Sequence, residues 1–427
     1  MNRFFARMLT AALKSLARRV IARYRPGIIG ITGSVGKTSA KYAVHAVLSG
    51  ERRVRISRGN LNSELGIALT VLGEWRERDW KLVTREEKKK RMVRKAIFWK
   101  KVLVLSALRL LFPKSQSYPE ILILEYGVDR PGDMKALLEI AEPNIGIVTA
   151  IGEVPVHIEF FHDHEELVRE KSRLIEHLPA AGFAILNADD PTVMDLANRT
   201  RAHLAAFGFG KGAEVQIARF GYRNDGAKPR GISFTLRHGR EREEVAIDGA
   251  FGKPQAYSAA AAAAVGLIFG IPLSKAASAL RGYRPPSGRM NILPGVKGTM
   301  ILDDSYNASP LSMHAALDTL RDLPGKRKIA VLGDMLEIGK YAMEAHERVG
   351  RLAANVVDML ITVGPRAKFI ADAAVTHGFS KKKVLSFDIA DDARIPTQDT
   401  IKEGDLILIK GSRAMELEKV VEEIKMR

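Results

Sequence analysis

The sequence has 427 residues, 46% of them apolar, no cysteine and a formal charge of +18. That length suits two or three domains with sizeable cores. The lack of cysteine excludes disulfides and thiolate metal sites, and no uncharged apolar run is long enough to span a membrane. The excess charge is local. Residues 1–50 hold nine Lys/Arg and no acid, residues 74–115 hold fourteen against five acids, and the rest is balanced. Charge confined in this way points to surfaces facing an anionic partner, and away from a nucleic-acid enzyme. Arginine interrupts the first apolar residues throughout, unlike a secretory signal, which fits a cytoplasmic protein.

In chain order, residues 3–25 read as a helix, with Phe5, Leu9, Ala12, Leu13, Leu16 and Val20 at helical spacing and Pro26-Gly27 ending it. Residues 28–32 form a short apolar strand, followed by a glycine loop and a helical stretch from Lys37. Strand, glycine loop and helix in succession open an α/β nucleotide-binding domain. Buried strands are predicted at 121–124, 145–149 and 184–186, and a helix from about Asp163. Alternating segments at 231–237 and 243–247 suggest antiparallel strands or a small β-excursion. The alanine run 258–264 reads as a tightly packed helix, and residues 282–288 as a linker. Strands at 299–302, 329–332, 359–363 and 406–409 then alternate with helical stretches, a second α/β unit.

The sharpest local pattern is Gly33-Ser34-Val35-Gly36-Lys37-Thr38-Ser39. Its glycines let backbone N–H groups approach phosphate oxygens, and the helix start adds favourable partial charge. Lys37 is placed to neutralise the β- and γ-phosphates and the Thr38 hydroxyl to ligate Mg²⁺. The usual spacing asks for glycine at position 31, which is Ile31, so the loop is a shortened form. Glu125 ends a buried strand, where open α/β sheets face their ligand and where Mg²⁺ finds a hard oxygen donor.

Thr32-Gly33-x-x-Gly36-Lys37-Thr38 resembles the phosphate loop of the Mur ligases, and further segments resemble that family in order. Glu125 matches its Mg²⁺-binding glutamate. Gly152-Glu-Val-Pro-Val-His157 resembles the segment whose histidine holds a second Mg²⁺. Glu170-Lys171-Ser172 resembles the segment whose lysine is carried as a carbamate, an anionic metal ligand. Asn187-Ala-Asp189-Asp190 matches an architectural turn, and Gly288-Arg289 the arginine that contacts the nucleotide phosphates. Asp303-Asp304-Ser305-Tyr306-Asn307 resembles the block of the branch that adds D-alanyl-D-alanine, with Asp304 and Asn307 on the nucleotide. Gly333-Asp334-Met335 through Gly339, His346, and Lys410-Gly411-Ser412-Arg413 follow suit.

The resemblance implies an α/β protein: a central P-loop ATPase domain (28–284, with a basic insertion at 74–118) whose sheet is mainly parallel, and a C-terminal Rossmann-like domain (285–427). A basic amphipathic helix (1–27) precedes them. It implies ATP, two Mg²⁺ and a carbamylated Lys171. The implied reaction is amide-bond formation through an acyl phosphate, adding D-alanyl-D-alanine to a UDP-linked muramoyl tripeptide in peptidoglycan synthesis by a monomer. Lys37, Lys171, His157 and Glu125 are the implied catalytic groups, and Thr38, Glu125, His157 and Lys171 the metal ligands. Asn60, Asn62, Ser63 and Glu64 lie in the loop that faces the precursor in the family.

Two departures qualify this. The family usually carries an N-terminal domain that binds UDP, whereas the first strand here begins at Ile28, which leaves uridine recognition open. Pro254, Gln255 and Ser258 stand where the family shows Gly-x-His-Asn and a later Asn. Other acceptors (polyglutamate, cyanophycin-type or lipid-linked) and an inactive ATP-binding scaffold of a cell-wall complex remain as alternatives. The basic segments 1–25 and 74–115 suit either peripheral contact with anionic lipid or packing on each other with their charged faces in water.

Overall fold

Strand β1 (Gly27–Thr32) is buried along nearly all its length and pairs in parallel with β3 (Ile121–Glu125) and β4 (Ile145–Val148). A strand covered on both faces must be apolar throughout, and Ile28, Ile29 and Ile31 meet that demand. Gly30 does so by being small: a Cβ there would lie 3.0 Å from both Leu174 and Tyr126. The computed structural model describes residues 3–59, 61–76, 78–79, 92–226 and 228–426, side chains only from Met8 onward. Asn60, Trp80 and the middle of the basic insertion lie outside the described residues.

Among the described residues the first sheet has nine strands in the order β2-β3-β1-β4-β5-β6-β7-β8-β9. Strands β2 (Val54–Ile56), β5 (Phe183–Asn187), β6 (His203–Gly208) and β7 (Val215–Asp225) continue the parallel part. Strands β8 (Lys228–His238) and β9 (Glu241–Asp248) close it antiparallel. Of the two readings of this region, antiparallel strands are found, and they extend the main sheet, since β7 pairs with β6. The alanine run lies in the helix Lys253–Ile268, where Ala259 to Ala264 are buried and Gly266 meets Val47 of the helix Lys37–Leu48. Small side chains let these two helices approach closely.

The second sheet has six strands in the order β10-β11-β15-β12-β13-β14. Strand β10 (Asn291–Pro294) is an antiparallel edge on β11 (Met300–Asp303). The others, β12 (Arg327–Gly333), β13 (Met359–Val363), β14 (Val384–Phe387) and β15 (Asp405–Lys410), are parallel. Such pairings require crossover connections, and helices Pro310–Asp322, Ala342–Ala354, Lys368–Thr376 and Ala390–Thr400 supply them.

The first helix, Arg3–Tyr24, buries Leu9, Leu13, Ala17 and Val20, while Ala12 of the expected stripe is exposed. It packs on helix Glu64–Leu72 and on helix Met92–Leu111. The latter buries Phe98, Trp99 and Val102, and Phe98 meets Trp75 edge-on at 5.6 Å. Tyr24 stacks on Tyr118 at 4.2 Å, and Arg23 donates to Phe112 O at 2.7 Å. The two basic segments thus pack on each other through these helices. Among the described residues no helix is long and apolar enough to cross a membrane.

Candidate active site

The carboxyl ends of β1, β3 and β4 converge at one crevice, the place where an open parallel sheet offers loop backbone to a ligand. Beyond Thr32 the chain enters the glycine loop. Gly33 (φ 138°) and Gly36 (φ 90°) hold backbone that side-chained residues rarely adopt, and a Cβ on Gly33 would lie 2.2 Å from Thr149 Oγ1. That hydroxyl donates to Val35 O at 2.6 Å, and Ser34 N donates to Ala150 O at 2.6 Å, so the end of β4 backs the loop. Lys37 Nζ folds back onto Gly33 O at 2.7 Å. Burial lowers its pKa against the pull of Glu125. The Ser34 hydroxyl is buried without a partner, and Ser39 lies under the loop.

Thr38 Oγ1 lies 3.1 and 3.3 Å from the Glu125 carboxylate oxygens. A third group completes this cluster and was not anticipated: Lys41, wholly buried, donates to Glu125 Oε2 at 3.1 Å and to Gly59 O at 2.9 Å. Burial pushes the Glu125 carboxyl up, but Lys41, Lys37 and Arg289 outweigh it and hold its pKa below the ordinary value. An ionised carboxylate beside a hydroxyl, next to a phosphate loop, is a hard-oxygen donor set that fits Mg²⁺. The only sequence signal for Lys41 is its place one helical turn beyond Lys37, among Ala40, Ala43 and Val44.

Lys171 sits on helix His164–Glu176, which begins where the sequence suggested and is capped by Asp163, and is 1% exposed. Burial, reinforced by Lys37 against Asp129 and Glu170, pushes its amine down to about 7. An amine largely neutral near physiological pH is the form that reacts with CO₂, so the site fits a carbamate. His157 stands apart from Glu125. Its Nε2 lies 3.2 Å from Asp129 Oδ1 and its Nδ1 2.7 Å from Glu337 Oε2, on opposite edges of the ring. Asp129 and Glu337 were not among the expected site residues. Among the described residues no three His, Asp or Glu side chains converge to hold a metal by themselves.

The second sheet meets this crevice with the loops after β11, β12 and β15. Lys410, buried, donates to Asp304 Oδ2 at 2.6 Å and to Asn307 O at 2.9 Å. Arg289 stacks on the Tyr306 ring at 4.1 Å, with Arg413 5.6 Å from the same ring. Gln255 ties this side to the first: its amide donates to Arg289 O at 3.0 Å and accepts from Tyr283 OH at 2.9 Å, while that hydroxyl also reaches Ser39 O at 3.4 Å. Gln255 thus supports Arg289 at the position where the motif departed from expectation. His346 is buried and structural, with its Nε2 accepting from Met335 N at 2.9 Å.

Ser34, Gly36, Arg289, Asp304, Asn307 and Lys410 line the crevice between the sheets. From Val35 and Gly36 a cavity of about 870 Å³ opens towards Asn187, Asp189, Phe207, Tyr257 and His314. Asp189 and Asp190 shape it: Asp189 accepts from Gly210 N and Tyr257 OH, and Asp190 from Ile151 N. Asn62 lies beside the chain just beyond β3, where its carbonyl accepts from Gly127 N at 3.0 Å. Ser63 is exposed, and Glu64 is held by Lys14 of the first helix at 2.8 Å.

The Mur ligase middle domain matches residues 105–266 and the Mur ligase glutamate ligase domain residues 288–413. The chain is 30% identical over 415 residues to the UDP-N-acetylmuramoyl-tripeptide--D-alanyl-D-alanine ligase of Bacillus subtilis, covering 97% of this chain and 79% of that one. It is 32% identical over 428 residues to the enzyme of that name from Mycobacterium bovis, covering 95% and 74%. The crystal structure of MurF ligase from Thermotoga maritima in complex with ADP superposes with a TM-score of 0.77 at 25% identity, covering 97% of this chain and 83% of that one.

Proposed function

The chain belongs to the Mur ligase family, and from that premise we propose how its site works. It is an ATP-dependent ligase that joins D-alanyl-D-alanine to a UDP-linked muramoyl tripeptide, a step of peptidoglycan synthesis. The observation that carries this reading is the meeting of Lys37 and Glu125, from one sheet, with Arg289 and Lys410, from the other, around one crevice. Residues 28–284 serve as the ATP-binding domain and 285–427 as the domain that closes over it.

The tripeptide's terminal carboxylate attacks the γ-phosphorus of ATP and ADP departs, leaving an acyl phosphate. The amine of D-alanyl-D-alanine then attacks the acyl carbon and phosphate leaves. Positioning and charge stabilisation supply most of the acceleration in such transfers. The loop N–H groups of residues 33–39 cradle the phosphates. Lys37 exchanges Gly33 O for a phosphate oxygen. Arg289, held flat on Tyr306, approaches the same phosphates from the second sheet, with Asp304 and Asn307 beside it. The 870 Å³ cavity takes the adenosine, being of ordinary size for a buried ligand. Thr38 and Glu125 would hold one Mg²⁺, and a second would need His157 turned from its carboxylate neighbours towards a carbamylated Lys171; such ions would neutralise charge on the transferring phosphoryl group. Closure of the two sheets keeps water from the acyl phosphate. Asn62, Ser63 and Glu64 border the acceptor side. The protein works as a cytoplasmic monomer with peripheral membrane contact through its basic segments.

The test is phosphate release from ATP and Mg²⁺ with both substrates present. Release that requires D-alanyl-D-alanine and the UDP-muramoyl tripeptide together supports the assignment. Release only with another acid and amine moves the acceptor elsewhere, and no release with any pair refutes the ligase reading.

A further inference from the structure

Helix Met92–Leu111 is apolar on two opposite faces. One face, with Phe98, Trp99 and Val102, is buried against the first helix and helix Glu64–Leu72. On the other, Val93, Ile97, Val104, Leu108 and Leu111 are 72%, 62%, 46%, 40% and 79% exposed. At 100° per residue these five positions fall within an arc of roughly 60°, in a stripe about 27 Å long. A soluble helix normally turns charge outward at such positions, and a continuous exposed apolar stripe marks a surface that meets something.

The charge beside the stripe identifies the partner. The helix contains Arg94, Lys95, Lys100, Lys101 and Arg109 and no acid, within the segment that carries half of the chain's +18 excess. Lys100 and Lys101 flank the stripe, both exposed. The other half of the excess belongs to residues 1–50, and the helix beginning there packs alongside, with Arg18 and Arg19 exposed. An apolar line bordered by long cations is the chemistry of a helix lying in the interface of an anionic bilayer, its lysines reaching up to the headgroups. The contacts of Arg23 with Phe112 and of Tyr24 with Tyr118 join the two helices into one ledge.

We propose that the outer stripe of helix Met92–Leu111, Val93 through Leu111, docks this protein on an anionic lipid surface, with Lys100 and Lys101 on phosphate headgroups. The inference deepens the membrane contact named above and does not depend on the ligase chemistry.

The experiment is flotation of the full chain with vesicles of phosphatidylglycerol and phosphatidylcholine in equal parts, beside phosphatidylcholine alone. Binding to the mixed vesicles is expected, weakening with salt. The Ile97→Ser, Val104→Ser, Leu108→Ser variant should bind at least about tenfold less, with unchanged circular dichroism and nucleotide binding. A Lys100→Glu, Lys101→Glu variant, which leaves every apolar residue in place, should also lose binding. The absence of flotation with mixed vesicles would overturn the proposal, as would triple-variant binding equal to the parent's. Self-association of the parent that the triple variant abolishes would also overturn it, because a second copy would then be the occupant.

Discussion

Replacing Lys41 by Met would strand the Glu125 carboxylate. The side chains of this pair are 0% and 4% exposed, so solvent screens neither charge. Removing one partner of a buried pair typically destabilises by about 3–5 kcal/mol, because the other charge stays buried without compensation. Thr38 and Lys37 still support Glu125, which places the expectation near the lower end, about 3 kcal/mol. With a urea slope of about 2 kcal/mol/M that moves the unfolding midpoint down by about 1.5 M. Trp75 and Trp99, both buried, report the transition by fluorescence. The Lys41→Met, Glu125→Gln double variant should recover much of the loss, since no buried charge is then unpaired. The sign with pH follows from the depressed pKa of Glu125 in the folded parent. Its pairing contributes stability above the unfolded carboxylate pKa, and that contribution is lost as pH falls through the lower folded value. Without Lys41 the carboxyl loses the largest of the charges that hold its pKa down and takes up its proton at higher pH than in the parent, so the gap between variant and parent narrows on acidification. A midpoint unchanged at neutral pH, or a double variant no better than the single one, would refute the argument that this pair is electrostatically isolated from water.

Lys37→Ala should abolish turnover, by at least about a thousandfold, with the unfolding midpoint lowered less than in Lys41→Met, because Lys37 hydrogen-bonds its own loop carbonyl and Lys41 still pairs with Glu125; near-normal turnover contradicts its role. For Lys171, ¹³C-bicarbonate should give a carbamate NMR signal that is absent in Lys171→Ala. With the amine pushed down to about 7, the signal should fade as pH drops below that value; a parent without the signal at pH 8 and saturating bicarbonate removes the carbamate. Tyr306→Leu takes away the platform under Arg289. Loss of such a contact, about 0.5–2 kcal/mol, should raise KM for ATP by about 2- to 30-fold with kcat nearly kept; an unchanged KM would detach Arg289 from nucleotide binding.

Motif-bearing and strongly apolar parts of this chain were legible in its sequence. Strands β1, β3, β4, β5 and β11 to β13 are near-continuous apolar runs, and the phosphate loop has a fixed grammar. Strands β2 and β14 escaped notice because they are short and only half-buried, with arginine or serine inside them. Strand β6 begins with exposed His203 and Leu204, so its pattern resembles neither a core strand nor a regular alternation. At the site, Lys41 and Asp129 carry no motif, and their partners lie 84 and 28 residues away. Which charge neutralises Glu125 is set by the packing of helix Lys37–Leu48 on β3, a tertiary fact. The outward stripe of helix Met92–Leu111 was hidden for the opposite reason: a helix apolar on both faces shows little periodicity.

His157 and Glu337 face each other across the seam, each from a left-handed backbone position, φ 72° and 63°. Their side chains are 24% and 43% exposed, and a polar contact so open to water adds little holding strength. Left-handed backbone is unfavourable for residues of this kind and persists only where the surrounding loop enforces it, so both side chains are aimed before they meet. The pair therefore acts as an alignment pin rather than a clasp. It contributes little to whether the two halves come together, and much to the single offset at which they do, the one that brings Arg289 and Lys410 over the phosphate loop.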